Sequence, residues 1–197
     1  MRKTLDQLIS WTGLILAVVL LVAGGLLTYA SNFVNQNVEE QLSQQRITMP
    51  AAERLETQEQ KDALLQYAGQ DMTTGAQAKA FADHYILVHM NTSSENRTYE
   101  EVSGEFMKLA KDPSANPEEV KALGDLRQTL FMGNTLRGLL LNAYAFGTMG
   151  TIAGIAGIGA FVAAAVLALL ALFGFRHAKK VNDALPAAAH RDAPVRV

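Results

Sequence analysis

Cysteine is absent from the chain, so no disulfide staples it and no thiol serves as nucleophile or soft metal ligand. Tryptophan occurs once and proline five times in 197 residues. Charge is missing over two long stretches: none lies between Asp6 and Glu39, and none between Arg137 and Arg176. About 20 apolar residues suffice to cross the ~30 Å hydrocarbon core of a bilayer, and both stretches exceed that. They predict two membrane spans, at 11–30 and 150–175. The core helix of a soluble domain rarely runs so far without a charge. Neither predicted span holds an ionisable residue, which argues against a pump or a secondary transporter.

The first segment, "MRKTLDQLISWTGLILAVVLLVAGGLLTYA", also fits a secretory signal with a small residue at Ala30. Its length, Thr28 at the −3 position and the bulky Tyr29 favour an uncleaved span. Basic residues set the orientation. Arg2 and Lys3 flank the first span, and Arg176, Lys179 and Lys180 flank the second. Residues 31–147 carry ten Lys/Arg against sixteen Asp/Glu, a net of −6. The expected topology is a cell-membrane protein with residues 1–10 and 176–197 cytoplasmic and 31–149 outside. The acidic balance excludes nucleic acid as an expected partner. The tail from Val181 is Ala/Pro-rich and reads as disordered.

Between the spans the periodicity is helical throughout, and no segment alternates as a strand would, so the fold class is all-α. "SNFVNQNVEEQLSQQ" places Phe33, Val34, Val38 and Leu42 at near-helical spacing and extends the first span outward as a stalk. "AAERLETQEQKDALLQYAGQ" is rich in helix formers and ends at Gly69. "MTTGAQAKAFADHYILVHM" follows, with Thr73 or Thr74 as cap, and "NTSSENRT" reads as a polar loop. Thr98 and Glu101 form a capping box ahead of the stripe Tyr99, Val102, Phe106, Leu109. Asn116, Pro117, Glu118 and Glu119 restart a helix with cap, first-turn proline and acids at its positive end.

The stretches "TTGAQAKAFADHYILVHM", "KDPSANPEEVKALGDLRQTLF" and "GNTLRGLLLNAYAFGTMG" resemble a family of small actinobacterial membrane proteins. The resemblance runs from the first span to Phe175, with "TLRGLLLNAYAF" its most distinctive part. It implies two spans flanking an external helical domain, and it implies no activity. Some members carry a label as aromatic ring-opening dioxygenases, for which the residues here give no support.

A non-haem iron site needs two histidines and a carboxylate converging on one ion. Asp83, His84 and His89 are the available groups. Five α-helical residues turn the chain by about 500°, which splays His84 and His89 apart. No G-x-S-x-G elbow is present. The glycine-rich "GTMGTIAGIAGIGAF" leads into uninterrupted hydrophobicity and lacks the strand that a nucleotide fingerprint requires. Its Gly150, Ala153, Gly154, Gly157 and Ala160, with Ala156 and Ala164, put small residues at short helical spacing. Gly13 and Ala17 do the same in the first span. Small residues let helix backbones approach within a bilayer. They point to packing against the other span, a second copy or another membrane protein. "TLRGLLLNAYAF" reads as an outward extension whose Leu136, Leu140 and Phe146 pack in the external domain, with Arg137 paired to a carboxylate there.

The expected protein is thus a two-span membrane protein without cofactor or metal. Its expected role is that of a non-enzymatic interaction or structural accessory. The alternatives are an outer-face metal-dependent enzyme using Asp83, His84 or His89, and an envelope ligand or stress sensor.

Overall fold

The computed structural model describes residues 2–189. Among them all regular structure is helical; one isolated antiparallel bridge joins Thr48 and Asp71. The helices are α1 (Arg2–Gln44), α2 (Gln58–Leu64), α3 (Gly75–Phe81), α4 (Leu87–Ser94), α5 (Tyr99–Leu109) and α6 (Pro117–Ala189). A π turn, Ala82–Ile86, links α3 to α4, and 3₁₀ turns cover Ala52–Arg54 and Leu65–Tyr67. The chain divides into two compact units. One comprises α1 up to Asn32 with α6 from Thr151, and the other comprises Phe33–Gly150.

The first unit is a pair of antiparallel helices. On α1 the buried positions Ser10, Ala17, Gly24 and Ser31 recur every seven residues. On α6 Gly157, Ala164, Ala171 and Ala178 do the same. A seven-residue repeat of inward positions is the signature of left-handed coiling. Here the knobs are small, so the backbones come close. A Cβ on Gly157 would lie 3.1 Å from Thr28 Oγ1 and 3.3 Å from the Gly24 carbonyl. One on Gly154 would lie 2.8 Å from Ser31 Oγ, and one on Gly13 would lie 3.8 Å from the Ala171 Cβ. Ala153 and Ala160 are half-buried beside this seam, and Ala17 is 2% exposed. Ala156, one of the small residues singled out in the sequence, faces outward, because the seam follows a period of 3.5. Ser10 and Thr28 donate to the carbonyls of Asp6 and Gly24 on their own helix, which satisfies their hydroxyls inside the seam. At one end Trp11 meets Phe175 edge-on, ring centroids 5.6 Å apart.

The absence of native cysteine gives this pairing a direct test. Cysteines at Gly13 and Ala171 would have Cβ atoms near 3.8 Å apart, the mean separation in disulfides. Mild oxidation of the Gly13→Cys/Ala171→Cys chain in membranes is expected to give an intramolecular crosslink. Adding Gly157→Leu should cut its yield severalfold by wedging the seam. Crosslinking only between chains would assign the small residues to self-association instead.

The second unit is built from short, capped helices. The cap signals at Thr74, Thr98 and Asn116 sit where the sequence places them: Thr74 and Thr98 close capping boxes with Gln77 and Glu101, and Asn116 Oδ1 accepts from the Glu118 amide. A further box, Thr57 with Gln60, starts α2 and divides the helix-former-rich stretch that ends at Gly69. Gln60 and Gln77 are buried, at 2% and 5% exposure, because their side-chain amides are consumed by these boxes. The Asn91–Ser94 part of the expected polar loop is instead the last turn of α4, where Thr92 and Ser93 donate to the carbonyls of Val88 and His89. Glu95, left-handed at φ 56°, ends it.

One core gathers Val38, Leu42, Met49, Leu64, Met72, Ala78 and Leu140. A smaller one joins Met90 and Val102 to Leu123 and Leu130 of α6, with Tyr99, Phe106 and Leu109 against it. Gly75 and Gly147 bring α3 onto α6, where the Gly75 Cα sits 3.7 Å from the place a Gly147 Cβ would occupy. Gly150 stands against Asn35 and Val34 of α1.

α6 continues unbroken through the Asn134–Phe175 region and on to Ala189. The first part of the tail expected to be disordered, up to Ala189, is helical even though Pro186 lies within it. Residues 190–197 lie outside the described residues.

Candidate functional site

In the second unit charge and irregular backbone meet at the π turn. One extra residue in Ala82–Ile86 makes the Leu87 amide donate to the Ala82 carbonyl, five residues back. Arg137, reaching from α6, donates from Nε to that same carbonyl at 3.0 Å and from Nη2 to Asp83 Oδ1 at 3.0 Å. Lys79, one turn earlier, holds the other carboxylate oxygen, Asp83 Oδ2. The arginine fork thus clamps the turn through one backbone and one side-chain acceptor. Both partners are mostly covered, with 21% and 22% of the Arg137 and Asp83 side chains exposed. The hydrogen bond from Lys79, aided by Arg137, holds the Asp83 carboxyl below the usual carboxylate range against the opposing effect of burial. The same hydrogen bond raises Lys79. Lys79 Nζ also stands 5.6 Å from the Tyr144 ring centre.

The three groups offered by the sequence for metal binding go to three different places. Asp83 is engaged by Arg137 and Lys79. His84 Nδ1 lies 3.2 Å from Glu59 Oε1 on α2. His89 Nδ1 lies 2.7 Å from the carbonyl of Tyr85 in the preceding π turn, with its ring on Tyr85 at 4.3 Å. Among the described residues no three His, Asp or Glu groups come together as metal ligands. What the π turn offers is a rigid salt-bridged elbow that fixes α3 and α4 on α6. The sequence carries Arg137 and Asp83 but gives no sign of the extra residue that aligns them.

A second arginine, Arg127 of α6, donates from Nε to Ser103 Oγ on α5 at 3.0 Å and lies over the Phe106 ring, 5.3 Å from its centre. Leu140 is 3% exposed within the larger core. Leu136 and Phe146, expected to pack likewise, are 37% and 56% exposed.

No protein-family model matches the chain, and neither the curated proteins nor the solved structures include a match.

Proposed function

We propose that the chain is a two-span integral membrane protein whose acidic helical unit, residues 31–149, stands outside the cell membrane as a non-enzymatic interaction or structural accessory. The observation that carries this reading is the inverted packing of the first unit. Small residues fill the seam between α1 and α6, while Leu16, Val19, Val22, Ile152, Ile155 and Ile158 stand 49–66% exposed. The two apolar windows are only 11% and 17% buried, whereas the core helix of a soluble protein buries most of such a window. Hydrocarbon is the solvent that suits that outer surface. At 43 residues and 1.5 Å per residue, α1 is about 65 Å long, twice the hydrocarbon thickness, so part of it projects beyond the core as a stalk. The capped helices and the Arg137 clamp suit a rigid module that presents a surface to another membrane protein.

Single cysteines introduced into the cysteine-free chain test the topology. Lys111→Cys is expected to react with a membrane-impermeant maleimide on intact cells, and Lys179→Cys only after permeabilisation. The reverse pattern would invert the topology, and equal labelling of both with release by alkaline carbonate would remove the membrane reading.

A further inference from the structure

Arg97, Arg127 and Arg137 are the partly covered arginines of the second unit, and two of them hold carboxylates: Arg97 pairs with Glu105 and Arg137 with Asp83. Arg127 has no carboxylate within ion-pair distance among the described residues, in a segment whose net charge is −6. The local sequence explains this. On α6 the positions three and four away are Leu123, Gly124, Leu130 and Phe131, so no acid reaches it along its own helix. Across the contact, α5 meets it with Tyr99, Ser103 and Phe106 rather than with a glutamate.

The guanidinium is already fixed in place. Nε donates to Ser103 Oγ at 3.0 Å and Nη2 to the Tyr99 hydroxyl at 3.4 Å, so one edge of the fork is taken up by α5. Its central carbon lies 5.3 Å from the centre of the Phe106 ring and 5.9 Å from that of Tyr99, and cation–π attraction holds it there. The other edge, formed by Nη1 and Nη2, has no acceptor among the described residues. Two parallel N–H donors of that kind match both oxygens of a carboxylate. Arg127 lines a pocket of about 190 Å³ with Tyr99, Gly124, Gln128 and Phe131, none of them acidic. The Tyr99 and Phe131 rings stand 6.0 Å apart, and Phe131 is 51% exposed, so an apolar body placed there would shield a wetted ring. A cavity of about 150 Å³ accepts benzene, and this pocket has room for one ring-sized group with a carboxyl attached.

We infer that this pocket binds a small monocarboxylate with a flat apolar body. Its carboxyl sits on the Nη1–Nη2 edge of Arg127, and its body lies against Tyr99 and Phe131. The acidic surroundings set the ligand's total charge: one carboxyl is matched by one guanidinium, and each further negative charge is repelled. Inorganic phosphate offers oxygens to the fork but no apolar body. The site is made by α5 and α6 within the second unit alone, so it does not rest on the membrane reading.

The full chain, purified in a neutral maltoside detergent, is titrated with 4-fluorobenzoate, and binding is read from broadening of the fluorine NMR signal. Saturable broadening with a midpoint of about 1 mM is expected, the scale for so small a ligand in an open pocket. Unlabelled benzoate should reverse it, and benzamide and inorganic phosphate should be roughly fivefold less effective, since each lacks one half of the match. Arg127→Met is expected to weaken binding about tenfold, and Arg127→Lys about threefold, because an ammonium cannot present two parallel donors. Gln128→Trp, at an exposed position on the rim, fills the pocket without removing the arginine and should weaken binding as much as Arg127→Met. It decides the matter if Arg127→Met loses helicity. No saturable broadening, or equal broadening in the wild type and in folded Arg127→Met or Gln128→Trp, would overturn the inference. Phosphate or benzamide competing as well as benzoate would overturn it too, since the ligand would then need only charge or only a ring.

Discussion

Gly75→Ala is expected to lower the stability of the second unit by about 2–3 kcal/mol, the upper range for overpacking a close contact. A Cβ there would lie 2.9 Å from the Ala143 carbonyl oxygen and 2.9 Å from the Tyr144 Cα. Both are backbone atoms of α6, so no side chain can swing aside, and α3 as a whole must move off. The intrinsic preference runs the other way, because alanine is the better helix former. Gly104 supplies the control. It lies inside α5 with nothing within 4 Å of its would-be Cβ, and Gly104→Ala is expected to stabilise by about 0.5–1 kcal/mol. At about 4 °C per kcal/mol for a unit of this size, the pair should move the thermal midpoint in opposite directions, by roughly −10 °C and +3 °C. Circular dichroism at 222 nm on the purified chain measures both. A neutral Gly75→Ala would mean that α3 does not seat on α6 as described.

Removing the Arg137 fork is the second large effect. Arg137→Met takes away two hydrogen bonds from a charged donor, one to the Ala82 carbonyl and one to Asp83. Bonds of that kind are worth about 1.5–3 kcal/mol each when well covered, and partial exposure of both side chains brings the expected loss to about 2 kcal/mol. Arg137→Lys should recover less than half of it, since a single ammonium cannot span a backbone oxygen and a carboxylate in the fork's geometry. Full rescue by lysine would show that only the charge matters. The site also predicts an acid limb. Asp83 has a folded pKa below its unfolded value, so its stabilisation is complete above the ordinary carboxylate range and is lost as pH falls through the folded value. Between pH 7 and pH 3 the wild-type midpoint should therefore fall further than that of Asp83→Asn. Parallel curves for the two proteins would remove the clamp from the acid response.

Much of this architecture is written locally. The caps at Thr74, Thr98 and Asn116 are decided by three or four adjacent residues, so they are legible without a fold. Thr57 and Gln60 carry the same pattern inside a run of helix formers, whose propensity masks the break. The π turn is of another kind. Nothing in "ADHYI" demands an extra residue, and the carbonyl it presents is taken up by Arg137, fifty-five positions later in the chain. Gly75 belongs with it: its role depends on Ala143 and Tyr144, which the sequence does not bring near it. The small residues of the spans are visible as composition, but their period is not, because glycine and alanine at spacings of three, four and seven overlap in one string. Only the burial pattern selects seven.

That repeat of seven has a consequence for how the two helices of the first unit find their alignment. A seam in which small residues recur identically on both sides is periodic, and sliding one helix by a single repeat, ~10 Å, sets small against small again. The seam therefore fixes how closely the helices lie and leaves their longitudinal offset almost degenerate. The offset is written by the exceptions. The Phe161 ring occupies the room left by Gly24, 3.0 Å from where a Cβ would stand, and a one-repeat slip would drive it onto Ala17 or Ser31, which have no such room. The same slip would part Trp11 from Phe175. One bulky residue in a row of small ones thus acts as the key that admits a single alignment out of several equally spaced ones.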